Sequence, residues 1–159
     1  MTRNIVFNVL DIRRGTTVDG PGLRTSIYLA GCTHACHGCH NHDSWDFKGG
    51  VTMTLDEIME VIDDEDFNVT ITGGDPLMHP HTLPALIHAI KERGKSVWLY
   101  TGYTIEQIEA DPLLAEAVTE VDTIVDGPFI TALRDPDLLF RGSSNQRIID
   151  MHERHHLHI

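Results

Sequence analysis

"NVTITGGDPLMHPHTLPALIHAIKERGKSVWLYT", residues 68–101, changes its apolar period twice. Its opening, "NVTIT", is a short β-branched run that reads as a strand. After the loop "GGDPLMHPH", Thr82 opens an amphipathic helix that runs to about Arg93, with Gly94 as its stop. "KSVWLYT" then returns to strand character and ends at Thr101. Strand, helix and strand over this length make a βαβ unit, in which the two strands lie parallel and the helix crosses between them.

The same alternation extends in both directions. Upstream, "TLDEIMEVID" has capping-box spacing between Thr54 and Glu57 and places Leu55, Ile58, Met59 and Ile62 on one helical face. Before it, "RTSIYLAG" (residues 24–31) reads as a strand, and "NIVFNVLDI" as another, at a sheet edge or across the mouth of a barrel. Downstream, "GYTIEQIEADPLLAEAVTE" gives helical turns with Thr104 and Asp111 as N-caps and Pro112 at a first helical position. "VDTIV" (residues 121–125) is a further strand, "DGPF" breaks the pattern, and "RIID" (residues 147–150) is the last apolar run. The expected fold is α/β with a mostly parallel sheet, one domain over residues 1–150. Residues 151–159, with His152, His155, His156 and His158, are expected to be an unstructured polar tail.

Composition narrows the functional classes. A chain of 159 residues suits one domain and is short for a complete eight-stranded barrel of ~250 residues. No window approaches the ~18 apolar residues of a membrane span, and no secretory leader is read at the start, so a cytoplasmic protein is expected. With 24 acidic against 12 basic residues the net charge is -12, which repels phosphate backbones and argues against nucleic-acid binding. The acidic run at residues 63–66 reads as a solvated loop.

All three cysteines, Cys32, Cys36 and Cys39, fall in "GCTHACHGCHN", spaced C-x3-C-x2-C. In a reducing compartment a disulfide explains them poorly, and an odd count leaves one thiol unpaired. Spacing alone favours zinc held by three thiolates and one of His34, His37, His40 or His42. A chain with a full set of βα units, however, has no need of a metal staple. An iron-sulfur cluster with three protein thiolates keeps one iron open, able to accept an amine and a carboxylate from a substrate. In parallel βα folds the loops after the strands gather at one end, so the cysteine loop, "GGDPLMHP", "TGY" and "DGPF" are expected to face one pocket.

These motifs carry a resemblance. "VDGPGLRTSIYLAGCTHACHGCHNHDSWDF" (residues 18–47) resembles the opening of the glycyl-radical-enzyme activating proteins of the radical S-adenosylmethionine superfamily. "ITGGDPL", "WLYTGYT", "VDGPF" and "GSSNQRIID" follow in order and are similar to the subgroup that serves the anaerobic ribonucleoside-triphosphate reductase. The resemblance implies an incomplete (βα) barrel of the radical S-adenosylmethionine type, with a 4Fe-4S cluster on Cys32, Cys36 and Cys39 at the C-terminal ends of the strands. It implies that the backbone around Gly38 and His40 lines S-adenosylmethionine, and that Gly73, Gly74 and Asp75 receive its ammonium group. Thr101 and Gly102, with Asp126 and Gly127, would meet ribose and adenine. Asn145 and Arg147 would bind the cofactor carboxylate or the partner's backbone. Two residues read equally well without a ligand, Asp126 as a turn cap and Arg147 in a solvent salt bridge.

Gly38 stands where many superfamily members have an aromatic residue, and Asp75 where many have Glu; both fit the reductase-activating subgroup. The implied activity is reductive cleavage of S-adenosylmethionine to a 5'-deoxyadenosyl radical, which abstracts hydrogen from a glycine in the large subunit of the reductase. Flavodoxin or ferredoxin is the implied electron donor. An activase of another glycyl radical enzyme, such as pyruvate formate-lyase, and a non-enzymatic zinc-binding module remain the alternatives.

Overall fold

The computed structural model describes residues 5–31 and 50–157. Its sheet is seven-stranded, in the order β3-β1-β2-β4-β5-β6-β7. The strands are β1 (Val6–Thr16), β2 (Arg24–Leu29), β3 (Val51–Thr54), β4 (Asn68–Gly73), β5 (Val97–Tyr100), β6 (Thr123–Asp126) and β7 (Arg147–Asp150). From β2 through β4 and β5 to β6 the pairings are parallel. β1 joins β2 and β3 in antiparallel fashion, as β7 joins β6. The sheet is therefore mixed, with a parallel centre, rather than mostly parallel.

Local chemistry sets the helix ends. Thr54 and Glu57 complete a capping box at the start of α1 (Leu55–Glu65), and Thr104 with Gln107 does the same for α3 (Ile105–Ala110). Asp111 accepts from Leu113 N and Leu114 N to begin α4 (Pro112–Ala117). Thr82 is at the N-cap of α2 (Leu83–Glu92), but its hydroxyl makes no capping bond. Each of these helices buries one face against the same side of the sheet. Ile27, Val69, Ile71, Val97, Leu99 and Ile124 meet Ile58, Ile62, Leu86, Ile87, Ile90 and Ile105 there, all of them fully buried. One-sided coverage is what successive right-handed βαβ crossovers produce.

The opposite side is polar and aromatic, following the two-residue period of the strands. Arg24 donates from Nε to Thr70 Oγ1 at 2.9 Å and lies 5.8 Å from the Trp98 ring centroid. Two irregular segments cover this side. Asp19 binds Tyr28 and Thr70 through its side chain and carbonyl, and Phe140 meets Trp98 edge-on at 5.6 Å while its carbonyl accepts from Tyr100 Oη.

Two placements differ from the sequence reading. β1 is interior to the sheet, because the short strand β3, ending at the cap of α1, takes the edge beside it. Instead of an unstructured tail, Met151–Leu157 forms α5. That helix is docked by buried Met151, by Arg154 on Glu109 and by His152 Nε2 on Asp122 Oδ1 at 2.5 Å.

Asp122 also accepts from Lys91 Nζ and from Val97 N, both at 2.7 Å, so one carboxylate joins α2, β5 and α5. Burial alone would raise its pKa, yet the bonds from Lys91, His152 and Val97 N outweigh burial and lower it. A depressed carboxylate contributes stability above its unfolded pKa, and that contribution disappears as the pH falls through the folded value. Asp122→Asn should therefore be less stable than wild type at neutral pH, with the gap closing as the pH falls below the ordinary aspartate range. Urea unfolding across that range tests this; a gap independent of pH would show that the charge of Asp122 is not what holds these elements.

Candidate functional site

At the carboxyl ends of the parallel strands the loops after β4, β5 and β6 are joined to one another, and the first of them also meets the end of β2. Leu29, the last residue of β2, is opposite Gly73 in the register. Gly73 has φ +112, and a Cβ on it would overlap the backbone N and O of Leu29. Glycine is thus required for the two strands to close up, whatever else the position does. Beyond the strands, Gly74 N donates to Leu29 O at 2.7 Å and Asp75 N to Gly31 O at 2.7 Å. His79 Nε2 lies 2.7 Å from Ala30 O, the carbonyl that comes between these two in the chain. Three successive carbonyls are therefore held by one loop, and Cys32 follows Gly31 directly in the chain.

Asp75 joins this loop to the next. Its side chain is fully buried and accepts from Leu77 N at 3.0 Å, from Thr101 Oγ1 at 2.9 Å and from Gly102 N at 2.9 Å. The first bond caps a short 3₁₀ helix, Pro76–Met78; the other two fasten the loop after β4 to the end of β5. Thr101 Oγ1 in turn accepts from Tyr103 N at 3.1 Å, which shapes the following turn. The carboxylate thus faces inward, and the partly exposed backbone of Gly73 and Gly74 remains at the strand end.

Asp126 works similarly at the end of β6. Fully buried, it accepts from Ile105 N at 2.8 Å, from Arg147 N at 3.0 Å and from Arg147 Nη2 at 2.6 Å. The same guanidinium reaches Glu106 at 2.6 Å, and its bonds to Asp126 and then Glu106 raise its pKa. Asn145 donates to Pro128 O at 2.8 Å and accepts from Ser143 Oγ at 2.6 Å; Gln146 Nε2 donates to Gly127 O at 3.0 Å. Asp126 and Arg147 are thereby in direct contact, with Asn145 beside Gly127. All three are committed to bonds that shape the loop between β6 and β7.

Cys32, Cys36, Cys39, Gly38 and His40 lie outside the described residues. As a donor set, three thiols suit an iron-sulfur cluster, and their segment starts from the carbonyls gripped by the Gly73-Gly74-Asp75 turn. Among the described residues no group of three or more His, Cys, Asp or Glu side chains is placed to hold a metal ion. None of the helices described is long and apolar enough to cross a membrane. Two residues of this region, His79 and Glu106, carry no sequence signal of their own: one is among eleven histidines, and the other is an acidic residue in a helix's first turn.

Comparison with known proteins supplies the context for this geometry. A family described as a 4Fe-4S single cluster domain matches residues 18–149. The anaerobic ribonucleoside-triphosphate reductase-activating protein of Pasteurella multocida is 39% identical over 144 residues, covering 82% of this chain and 89% of that one. Its namesake in Escherichia coli K12 is 34% identical over 151 residues, covering 88% and 92%. The protein of that name from bacteriophage T4 is 34% identical, covering 82% and 86%. The crystal structure of QueE from Escherichia coli has a similar fold, with a TM-score of 0.55 at 20% identity, over 65% of this chain and 55% of QueE.

Asp75→Ala removes the acceptor of three donors in a buried setting and should cost about 3 kcal/mol or more of stability. Asp75→Asn, which keeps one acceptor oxygen, should cost less. Chemical denaturation of the two variants measures the difference; an alanine variant as stable as wild type would show that the tie between the β4 and β5 loops is dispensable.

Proposed function

Because the chain belongs to the family of anaerobic ribonucleoside-triphosphate reductase-activating proteins, we propose that it activates the large subunit of such a reductase, using S-adenosylmethionine and a 4Fe-4S cluster on Cys32, Cys36 and Cys39. The observation that carries this reading is the 2.7 Å bond from Asp75 N to Gly31 O, which joins the root of the cysteine segment to the Gly-Gly-Asp turn. Held by Cys32, Cys36 and Cys39, the cluster would supply the single electron for reductive cleavage of S-adenosylmethionine, chemistry whose end is removal of a hydrogen atom from a glycine of the reductase.

The chain's own residues bind, orient and shield. Gly73 and Gly74 offer backbone carbonyls to the methionine ammonium group, a cation that needs acceptors. Asp75 keeps that turn in place from behind, through Leu77, Thr101 and Gly102. The backbone at Gly38 and His40 lines the cofactor. Thr101, Gly102, Asp126 and Gly127 border its nucleoside end, where Asp126 acts by holding the start of α3 and the start of β7. Asn145 and Arg147 form the wall on the β7 side. The sheet is the wall of an incomplete (βα) barrel, and the opening admits the glycine-bearing loop of the partner. A flavodoxin or ferredoxin delivers the electron, and the cytoplasm, where thiols stay reduced, suits the cluster ligands.

Anaerobic reconstitution with iron, sulfide, dithionite and S-adenosylmethionine should yield equal amounts of methionine and 5'-deoxyadenosine. Adding the reductase should give a glycyl radical signal. Alanine at Cys32, Cys36 or Cys39 should abolish both. A protein that carries the cluster yet forms neither product would overturn the reading. Colourless protein holding tightly bound zinc would replace it with the metal-binding module, and activation of pyruvate formate-lyase instead of the reductase would change the target.

A further inference from the structure

The grip on the root of the cysteine segment contains one side chain. Leu29 O and Gly31 O face β4 and are taken by backbone amides of the β4 loop. In an extended chain successive carbonyls point to opposite sides, so Ala30 O faces away from β4, towards β1, where Ala30 N donates to Asn8 O at 2.9 Å. The backbone of the β4 loop approaches from the other side. His79 makes the reach, its Nε2 lying 2.7 Å from Ala30 O across a cleft lined by Val6, Phe7, Asn8, Leu29 and Thr82.

His79 is itself held by its backbone. Its N–H donates to Pro76 O at 3.0 Å, and its carbonyl accepts from Leu83 N at 2.9 Å at the start of α2. The imidazole is therefore mounted on the junction of a 3₁₀ turn and a helix. A carbonyl oxygen only accepts, so the hydrogen of this bond resides on Nε2.

We propose that His79 is a positioning residue for the cluster: its Nε2–H fixes the Ala30 carbonyl, and with it the direction in which the chain leaves β2 for Cys32. The proposal rests on the cluster assignment made above. Without this bond the middle of three gripped residues is free to rotate its peptide plane, and the first thiolate ligand loses a fixed starting point. Outer partners of this kind orient ligands and tune the group they hold.

The test compares His79→Leu, which keeps bulk but removes the donor, with His79→Gln, whose amide N–H can reach a carbonyl. Each is reconstituted anaerobically as the full chain beside wild type, and three properties are read: iron and sulfide content, the rate of iron release to a chelator, and the electron paramagnetic resonance signal of the reduced cluster. His79→Leu should release iron several-fold faster than wild type with a shifted signal, and His79→Gln should recover most of both. A leucine variant matching wild type in rate and signal overturns the proposal, as does a glutamine variant as impaired as the leucine one. Should His79→Leu fail to fold, His79→Phe, a second side chain without a donor, takes its place: faster iron release with a shifted signal supports the role, and wild-type-like values refute it. In cluster-free wild type, nitrogen-15 spectra should show His79 with its hydrogen on Nε2; hydrogen on Nδ1 alone also refutes it. If wild type assembles no cluster, the cluster assignment itself fails and takes this role with it, an outcome distinct from equal behaviour of wild type and variant.

Discussion

Pairing between β2 and β4 continues past the ends of both strands, and that extension organises the site. Gly73 has no side chain, so β4 can close against Leu29; the next two amides then reach Leu29 O and Gly31 O. Were Gly73 any other residue, the seam would open where the cysteine segment begins. Asp75 is set by the same seam, and its buried carboxylate extends the connection to Thr101 and Gly102 at the end of β5. A local steric requirement at one residue is thereby transmitted across three parallel strands.

Buried carboxylates are expensive unless donors surround them. Asp75 and Asp126 are both fully buried, and both are met by backbone N–H groups and side-chain donors. Each lies just past the end of a parallel strand or at its last residue, where the regular ladder has stopped and amides of the next loop need acceptors. The two aspartates therefore act as replacements for missing strand pairing. This explains how irregular loops at the carboxyl edge hold fixed positions. It also leaves backbone, especially at Gly73 and Gly74, as the chemistry available to a ligand from the β4 loop.

Much of the architecture was legible because its signals are local. The capping box at Thr54, the N-caps at Thr104 and Asp111, Pro112 at a first helical position and the strand at residues 68–72 depend on neighbours within four residues, and all appear where expected. β3 was not legible: Val51–Thr54 is short and half exposed, and it is a strand only because β1 offers it an edge. α5 was read as an unstructured tail since "MHERHHL" has little apolar face; it is held from outside by Glu109, Asp122 and the burial of Met151. Asp126 and Arg147 illustrate an intermediate case. Both were singled out as ligand-binding residues, with a cap and a salt bridge as the plainer readings, and in the structure they bind each other.

By itself the sequence determined the succession of βα units, the ends of most helices and the presence of three thiols next to a strand, because each follows from residue type and short spacing. The tertiary structure alone decided which donors Asp75, Asp126 and His79 would meet. Periodicity tells on which side of a strand a group emerges and is silent about what another part of the chain brings there. A carboxylate or imidazole at a loop has many possible partners, and only the packing of β2 against β4, β4 against β5 and β6 against β7 selects among them.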